Sequence, residues 1–218
     1  MSVHNDAINI ESSVLSILSQ TYKNYEFLIL DDRSTDGTKE KLIQLEKKDK
    51  RIKLFFNSTN LGLTKSLNIL LNHSTTEFIA RQDSDDLSLT DRLEKQIKFV
   101  KKFNLDGCST LSYIKNSNQI INKKSSFFKP EYFLKYKNPF IHGTYFLKKN
   151  IYDKLNNYDE RFYYAQDYKF ITELFKRNIN FKILKEPLYV LNLTNNISTK
   201  YYEEQKQFAD LVKENFNK

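Results

Sequence analysis

The sequence predicts an α/β protein whose mostly parallel, mixed sheet is flanked by helices. Two observations carry this. Short apolar runs of strand type alternate with stretches of helical period up to about residue 106, and two acidic clusters each follow directly on such a run. Alternation of this kind joins parallel strands through helices. Sheets so built bind ligands beyond the carboxyl ends of their strands. The acids are therefore expected together on one edge of the sheet.

Each element has its own signal. Ile10, Val14, Ile17 and Leu18 recur at helical spacing, and Tyr25 to Leu30 forms an apolar strand ending in Asp31-Asp32. The turn Ser34-Thr35-Asp36-Gly37-Thr38 offers capping residues to a helix carrying Leu42 and Leu45. Ile52 to Phe56 predicts a second strand, Leu63, Leu67, Leu70 and Leu71 a helix, and Phe78-Ile79-Ala80 a third strand. Asp83-Ser84-Asp85-Asp86 comes next, then a helix with Leu93, Ile97 and Val100. From residue 107 the pattern loosens, with strands expected over 111–114 and 119–122 and a helix over 168–175. The tail from Tyr201 carries Phe208, Leu211 and Val212 on one face, which is read as packing on the domain. The expected division is a first half over 1–106, a second half over 107–195 and a helical extension over 196–218.

Composition narrows the functional classes. The 218 residues suit one domain, and 39% hydrophobic with 14% aromatic content supports a core. A net charge of +8 favours anionic partners: a nucleotide diphosphate, a nucleic acid or an anionic membrane surface. Nucleic acid is set aside, because basic and aromatic residues do not interleave as in the recognised modules. Cys108 is the one cysteine and lies in an apolar stretch, so it reads as a core residue. That usage fits a reducing, cytoplasmic setting. No apolar run approaches the length of a membrane span, and no signal peptide is read at the start.

The chemistry must come from carboxylates. Three histidines and one cysteine do not make a His/Cys metal site, and the four glycines form neither a dinucleotide fingerprint nor a phosphate loop. Asp83, Asp85 and Asp86 offer hard oxygen ligands suited to Mg²⁺ or Mn²⁺. The competing reading is a helix start decorated with acids. Crowding of like charges directly after a buried strand favours the cation. Arg81 is a candidate phosphate contact; Lys65 reads better as a solvated helix position.

Together these stretches resemble the family 2 glycosyltransferases. The resemblance rests on Ser16 through Phe27, Asp31-Asp32-Arg33-Ser34-Thr35-Asp36-Gly37-Thr38, Asn60-Leu61-Gly62-Leu63 and Ala80-Arg81-Gln82-Asp83-Ser84-Asp85-Asp86. Arg92-Leu93-Glu94-Lys95-Gln96, Asn138-Pro139, His142, Asn157 through Phe162 and Gln166-Asp167-Tyr168 then follow in the family's order. The ordered set extends from Met1 to about Tyr189.

The resemblance implies a GT-A fold and an inverting transfer from a nucleoside-diphosphate sugar to a glycan or lipid-linked acceptor in surface polysaccharide synthesis. By it, Asp32 hydrogen-bonds the nucleotide base, with Asp31 beside it as support or second contact. Asp83-Ser84-Asp85 matches the D-x-D motif: Asp85 holds the metal, while Asp83 contacts ribose or metal-bound water. Ser2 and His4 fall in the segment touching the base, where the family usually has Tyr at the position of His4. Asp167 matches the catalytic base, preceded by Gln166 where the family has Glu, and His142 matches an acceptor-side histidine. A basic surface suits peripheral docking at an anionic inner leaflet that carries the acceptor.

One departure is large. In the family an apolar strand precedes the segment matching Ser2-Val3-His4-Asn5, whereas this chain starts at Met1, so its first strand reads as truncated. The favoured reading makes Met1 an internal residue of that strand in a longer natural chain. The alternative is a truncated, non-catalytic glycosyltransferase-like binding protein.

Overall fold

The computed structural model describes residues 1–123, 125–194 and 201–217, so the expected boundary at 195/196 lies outside the described residues. Three parallel strands form one sheet in the order β1 (Ser2–Val3), β2 (Phe27–Asp31), β3 (Ile52–Phe56). The helices between them are α1 (Ile10–Leu18) and α2 (Thr38–Lys48). Ile10, Val14 and Ile17 lie one turn apart on α1 and bury against Val3, Phe27, Ile29, Leu42, Leu45 and Ile52. Burial of this stripe, more than local propensity, holds so short a helix. Helix α3 (Leu63–His73) leads on to β4 (Phe78–Ala80). A cleft of about 100 Å³ lies among Met1, Leu28 of β2, Leu67 and Leu71 of α3, and Ile79 of β4.

The second sheet is mixed. Its order is β4, β8 (Phe146–Lys148), β6 (Gly107–Ile114), β9 (Phe181–Leu191), β5 (Leu87–Ser88), with β7 (Ile120–Ile121) paired to β6. Only the long β6–β9 pairing is parallel; the other pairs in this sheet run antiparallel. Parallel pairing thus joins β1, β2 and β3, each followed by a helix, and the long β6–β9 pair. The short strands β4, β5, β7 and β8 pair back antiparallel on their neighbours.

Helices α4 (Arg92–Lys102), α5 (Glu131–Leu134), α6 (Lys149–Lys154) and α7 (Gln166–Lys176) flank this sheet. Their core is rich in aromatics, including Tyr145, Tyr152, Tyr158, Tyr168, Phe170 and Phe181. The last helix, α8 (Tyr202–Asn217), places Val212 in that core and Phe208 against Phe162. Cys108 is buried beside Val100, Leu105 and Phe146. Burial pushes its thiol up to about 12, which leaves it protonated and inert at neutral pH.

Pro187 sits inside β9, where a proline removes a ladder donor. The strand accommodates it at a bulge: Leu111 pairs with Pro187, with register shifts on both sides of Leu111. The irregularity places Tyr189 opposite Ser112.

Candidate active site

Asp31 ends β2 and Asp32 follows it, both buried. Asp32 Oδ1 accepts hydrogen bonds from Asn57 Nδ2 and the Leu61 N–H, and Oδ2 accepts from the Gly62 N–H, each at 2.8 Å. The donors come from the turn between β3 and α3, where Gly62 has φ +83°. Asp32 is therefore the clasp of that turn. Asp31 Oδ2 accepts from the Ser34 N–H at 3.1 Å, while its Oδ1 is buried with no partner among the described residues. A buried oxygen without a donor is costly unless a ligand supplies one. Of the two carboxylates, Asp31 holds that free acceptor. His4 Nδ1 donates to the Asp32 carbonyl at 2.9 Å, which fixes its ring above the end of β2. Ser2 lies on β1 opposite Leu30.

The second cluster follows β4. Arg81 and Asp83 form a short ion pair, and Arg81 is almost fully buried. Burial works against the Asp83 charge, but the Arg81 guanidinium holds its carboxyl below the usual range. The Asp83 N–H donates to Tyr189 Oη at 3.1 Å, and Ser13 Oγ donates to the Asp83 carbonyl at 2.8 Å. Gly143 makes this closeness possible: a Cβ there would lie 2.3 Å from Tyr189 Oη and 2.7 Å from Asp83 Oδ2.

Asp86 is committed to structure, because its Oδ1 accepts the Asn192 N–H at 2.6 Å. Burial and the neighbouring Asp83 and Asp85 push its carboxyl up to about 8. Asp85 is different. Among the described residues its carboxylate receives only its own backbone N–H, and burial followed by the Asp83 charge pushes it up to about 6. Nearby, Lys115 donates through Nζ to Asn9 Oδ1 at 3.3 Å and opposes that rise.

This donor set can be tested against a divalent cation. Among the described residues, no three His, Cys, Asp or Glu side chains converge as a complete cage. A cation such as Mg²⁺ needs only one or two carboxylates when phosphate and water fill its other positions. The crowded and unpaired Asp85, beside Asp83, fits that need.

Arg92 braces the cluster from beneath. It is fully buried at the first residue of α4, with no carboxylate partner among the described residues. Its guanidinium donates to the carbonyls of Arg81 (2.7 Å) and Gly143 (3.0 Å), to Gln82 Oε1, Ser88 Oγ and Gln96 Oε1, and lies 5.0 Å from the Tyr189 ring centre. Burial lowers its pKa to about 10, so it stays charged at neutral pH.

Asp167 lies in the first turn of α7, after Ala165 in the left-handed region at φ +53°. A non-glycine residue held there is strained, and such strain gathers at functional positions. Asn138 Nδ2 donates to Asp167 Oδ2 at 2.7 Å. Burial nevertheless raises the Asp167 pKa, and the Asp83 charge adds to the rise. Gln166 is buried beside it. His142 Nε2 lies 2.8 Å from Tyr158 Oη, and its ring meets Tyr145 and Tyr158 edge-on. Burial, then Arg81, lowers His142 to about 3, so it is neutral in this wall.

The acids stand out in the sequence, but the groups that set their behaviour do not. Asn57, Lys115 and Tyr189 carry no local signal. Asn138 and Arg92 fall within the resembling stretches, without any hint there of the bonds they make.

Strand order, the acids at the strand ends and the flanking helices define the GT-A class of fold. S. aureus TarS in complex with UDP-GlcNAc matches it with a TM-score of 0.80 and 17% identity, over 97% of this chain and 63% of that one. The mannosyltransferase PcManGT from Pyrobaculum calidifontis, in complex with GDP-Man and Mn²⁺, matches at 0.75 and 18%, over 95% and 59%. The chain belongs to glycosyl transferase family 2, whose sequence model matches residues 1–156. EpsE of Bacillus subtilis (strain 168), assigned as a glycosyltransferase, is 38% identical over 72% of this chain and 58% of its own length. The Escherichia coli UDP-Glc:alpha-D-GlcNAc-diphosphoundecaprenol beta-1,3-glucosyltransferase WfgD is 37% identical over 56% of this chain and 48% of its own. The chain thus spans about half to three-fifths of the length of these relatives.

Proposed function

We propose that the chain is an inverting glycosyltransferase that moves a sugar from a nucleoside-diphosphate sugar to a hydroxyl of a glycan or lipid-linked acceptor in surface polysaccharide synthesis. The observation that carries it is Asp167. It is a half-buried carboxylate oriented by Asn138, raised in pKa and within electrostatic reach of the Asp83 cluster. A base with raised pKa is suited to take a proton as the acceptor oxygen becomes nucleophilic.

In this reading Asp31, Asp32, Ser2 and His4 receive the base end of the donor, with the free Oδ1 of Asp31 accepting a base N–H. Arg81, Asp83 and Asp85 face the diphosphate. Mg²⁺ or Mn²⁺ bound at Asp85, with Asp83 beside it, would neutralise charge on the departing diphosphate. The acceptor oxygen attacks the anomeric carbon opposite the diphosphate, and its proton passes to Asp167. The new C–O bond forms as the sugar–phosphate bond breaks, the electron pair leaves with the nucleoside diphosphate, and the anomeric centre inverts. His142 and Gln166 line the acceptor side. The glucosyltransferase WfgD, named for a lipid-diphosphate acceptor, supports the acceptor class, and the two donor complexes support the donor class.

The test is a screen of uridine, guanosine and thymidine diphosphate sugars by thermal shift, with and without Mn²⁺, followed by a transfer assay. Metal-dependent protection by one donor is expected, together with a fall in turnover of about 10²–10⁴ for Asp167→Asn. Equal turnover by that variant would remove the assigned base. Protection without any turnover would leave a non-catalytic binding protein.

A further inference from the structure

Between β7 and Asn138 the chain forms a 3₁₀ turn (Ser125–Phe127) and α5, and this segment has two unlike sides. Its inner side is tied to the site. Leu134 is fully buried, its carbonyl accepts from Tyr168 Oη at 2.6 Å, and the segment ends at Asn138, the partner of Asp167. Its outer side leaves Phe127, Phe128, Tyr132 and Tyr136 exposed at 69, 62, 65 and 72%. Around them Lys123, Lys129, Lys135 and Lys137 are exposed, with Glu131 as the acid among them, and Lys185 Nζ lies 4.4 Å from the Phe127 ring centre.

Exposed aromatics next to basic residues suit two kinds of partner, and residue type separates them. Protein interfaces favour aromatics and arginine but deplete lysine. Here the basic residues are all lysine. Lysine stems with amphipathic or apolar rings at one level match the headgroup boundary of an anionic bilayer, where the rings enter and the ammonium groups stay with the phosphates. We infer that the aromatic and lysine face of residues 123–137 docks on an anionic phospholipid surface, which sets Asp167 close to the bilayer plane. Its use, delivery of a lipid-carried acceptor hydroxyl, rests on the transferase reading above; the docking itself does not.

The experiment is co-sedimentation of the full chain with vesicles of phosphatidylcholine alone, and of phosphatidylcholine mixed with phosphatidylglycerol, at low and high salt. Binding is expected to the mixed vesicles only and to weaken with salt. A Phe127→Ser/Phe128→Ser/Tyr132→Ser/Tyr136→Ser variant and a Lys129→Glu/Lys135→Glu/Lys137→Glu variant should each lose about tenfold or more in partitioning. A Lys47→Glu/Lys48→Glu/Lys50→Glu control should keep most of it. No binding by the parent chain, or equal losses in patch and control variants, overturns the assignment. Unfolding temperatures matching the parent show that the variants fold. Donor protection measured without vesicles reports on the transferase reading separately.

Discussion

The two acidic clusters sit at comparable strand ends but are treated in opposite ways. At the end of β2, the Asp32 carboxylate is met by three N–H donors from one turn. After β4, three aspartates crowd together, and burial with mutual repulsion pushes Asp85 and Asp86 towards protonation. In the first cluster the fold compensates the Asp32 carboxylate and leaves one acceptor, Asp31 Oδ1, free. The second leaves a demand for positive charge that Arg81 meets only at Asp83. On the proposed reading the first cluster, which fixes a ring-shaped base, needs rigidity, whereas the second, which receives a charged diphosphate and cation, needs unmet charge.

The largest break in this contrast should come from Arg92, which braces the second cluster and not the first. Arg92→Met strands the Arg81 and Gly143 carbonyls, so a loss of about 3–5 kcal/mol is expected in urea unfolding, with the 57–62 turn intact by amide exchange. Asp32→Ala should cost about 2–4 kcal/mol by orphaning three donors, and should loosen that same turn. The outcome against the comparison would be an Asp32 variant as stable as the parent. Gly143→Ala, forced against Tyr189 and Asp83, should cost about 1–3 kcal/mol and blunt Mn²⁺-dependent donor protection.

The smallest effect is a slope with pH. Asp85 and Asp86 rise from an ordinary 3.8 to about 6 and about 8 in the folded chain. Between those values the folded state binds more protons than the unfolded one, so their contribution to stability falls as pH rises from about 4 to about 8. Urea midpoints near each end of that window should show the decline. Mn²⁺ should flatten it, and Asp86→Asn should remove its upper part.

The first half of the fold was legible because its signals are local. Ile52–Phe56 and Phe78–Ala80 are strands where the apolar runs end and begin, and α1 carries the stripe that its spacing announced. The second half was not. Strand β9 contains a proline and a bulge, β5 and β8 are two and three residues long, and their pairing is decided by partners distant in sequence. The site divides the same way. Acids after strands can be read directly, but which acid keeps a free oxygen depends on a turn some thirty residues away. For Asp31 and Asp32 the sequence gives two neighbouring carboxylates; only the donors from Asn57, Leu61 and Gly62 tell them apart.

The irregularity in β9 also works as a change of phase. Thr110 pairs with Leu184, so an unbroken ladder would bring residue 184 + 2, Glu186, opposite Ser112, where Tyr189 now stands. A further carboxylate would then have faced the interior that holds Asp83 and Asp86. Instead Glu186 reaches Lys95 at the surface at 2.7 Å, and a neutral phenol meets the acids. Three extra residues in one strand thus sort charge by parity, and a deletion of a single residue there would invert the sorting for everything downstream in the strand.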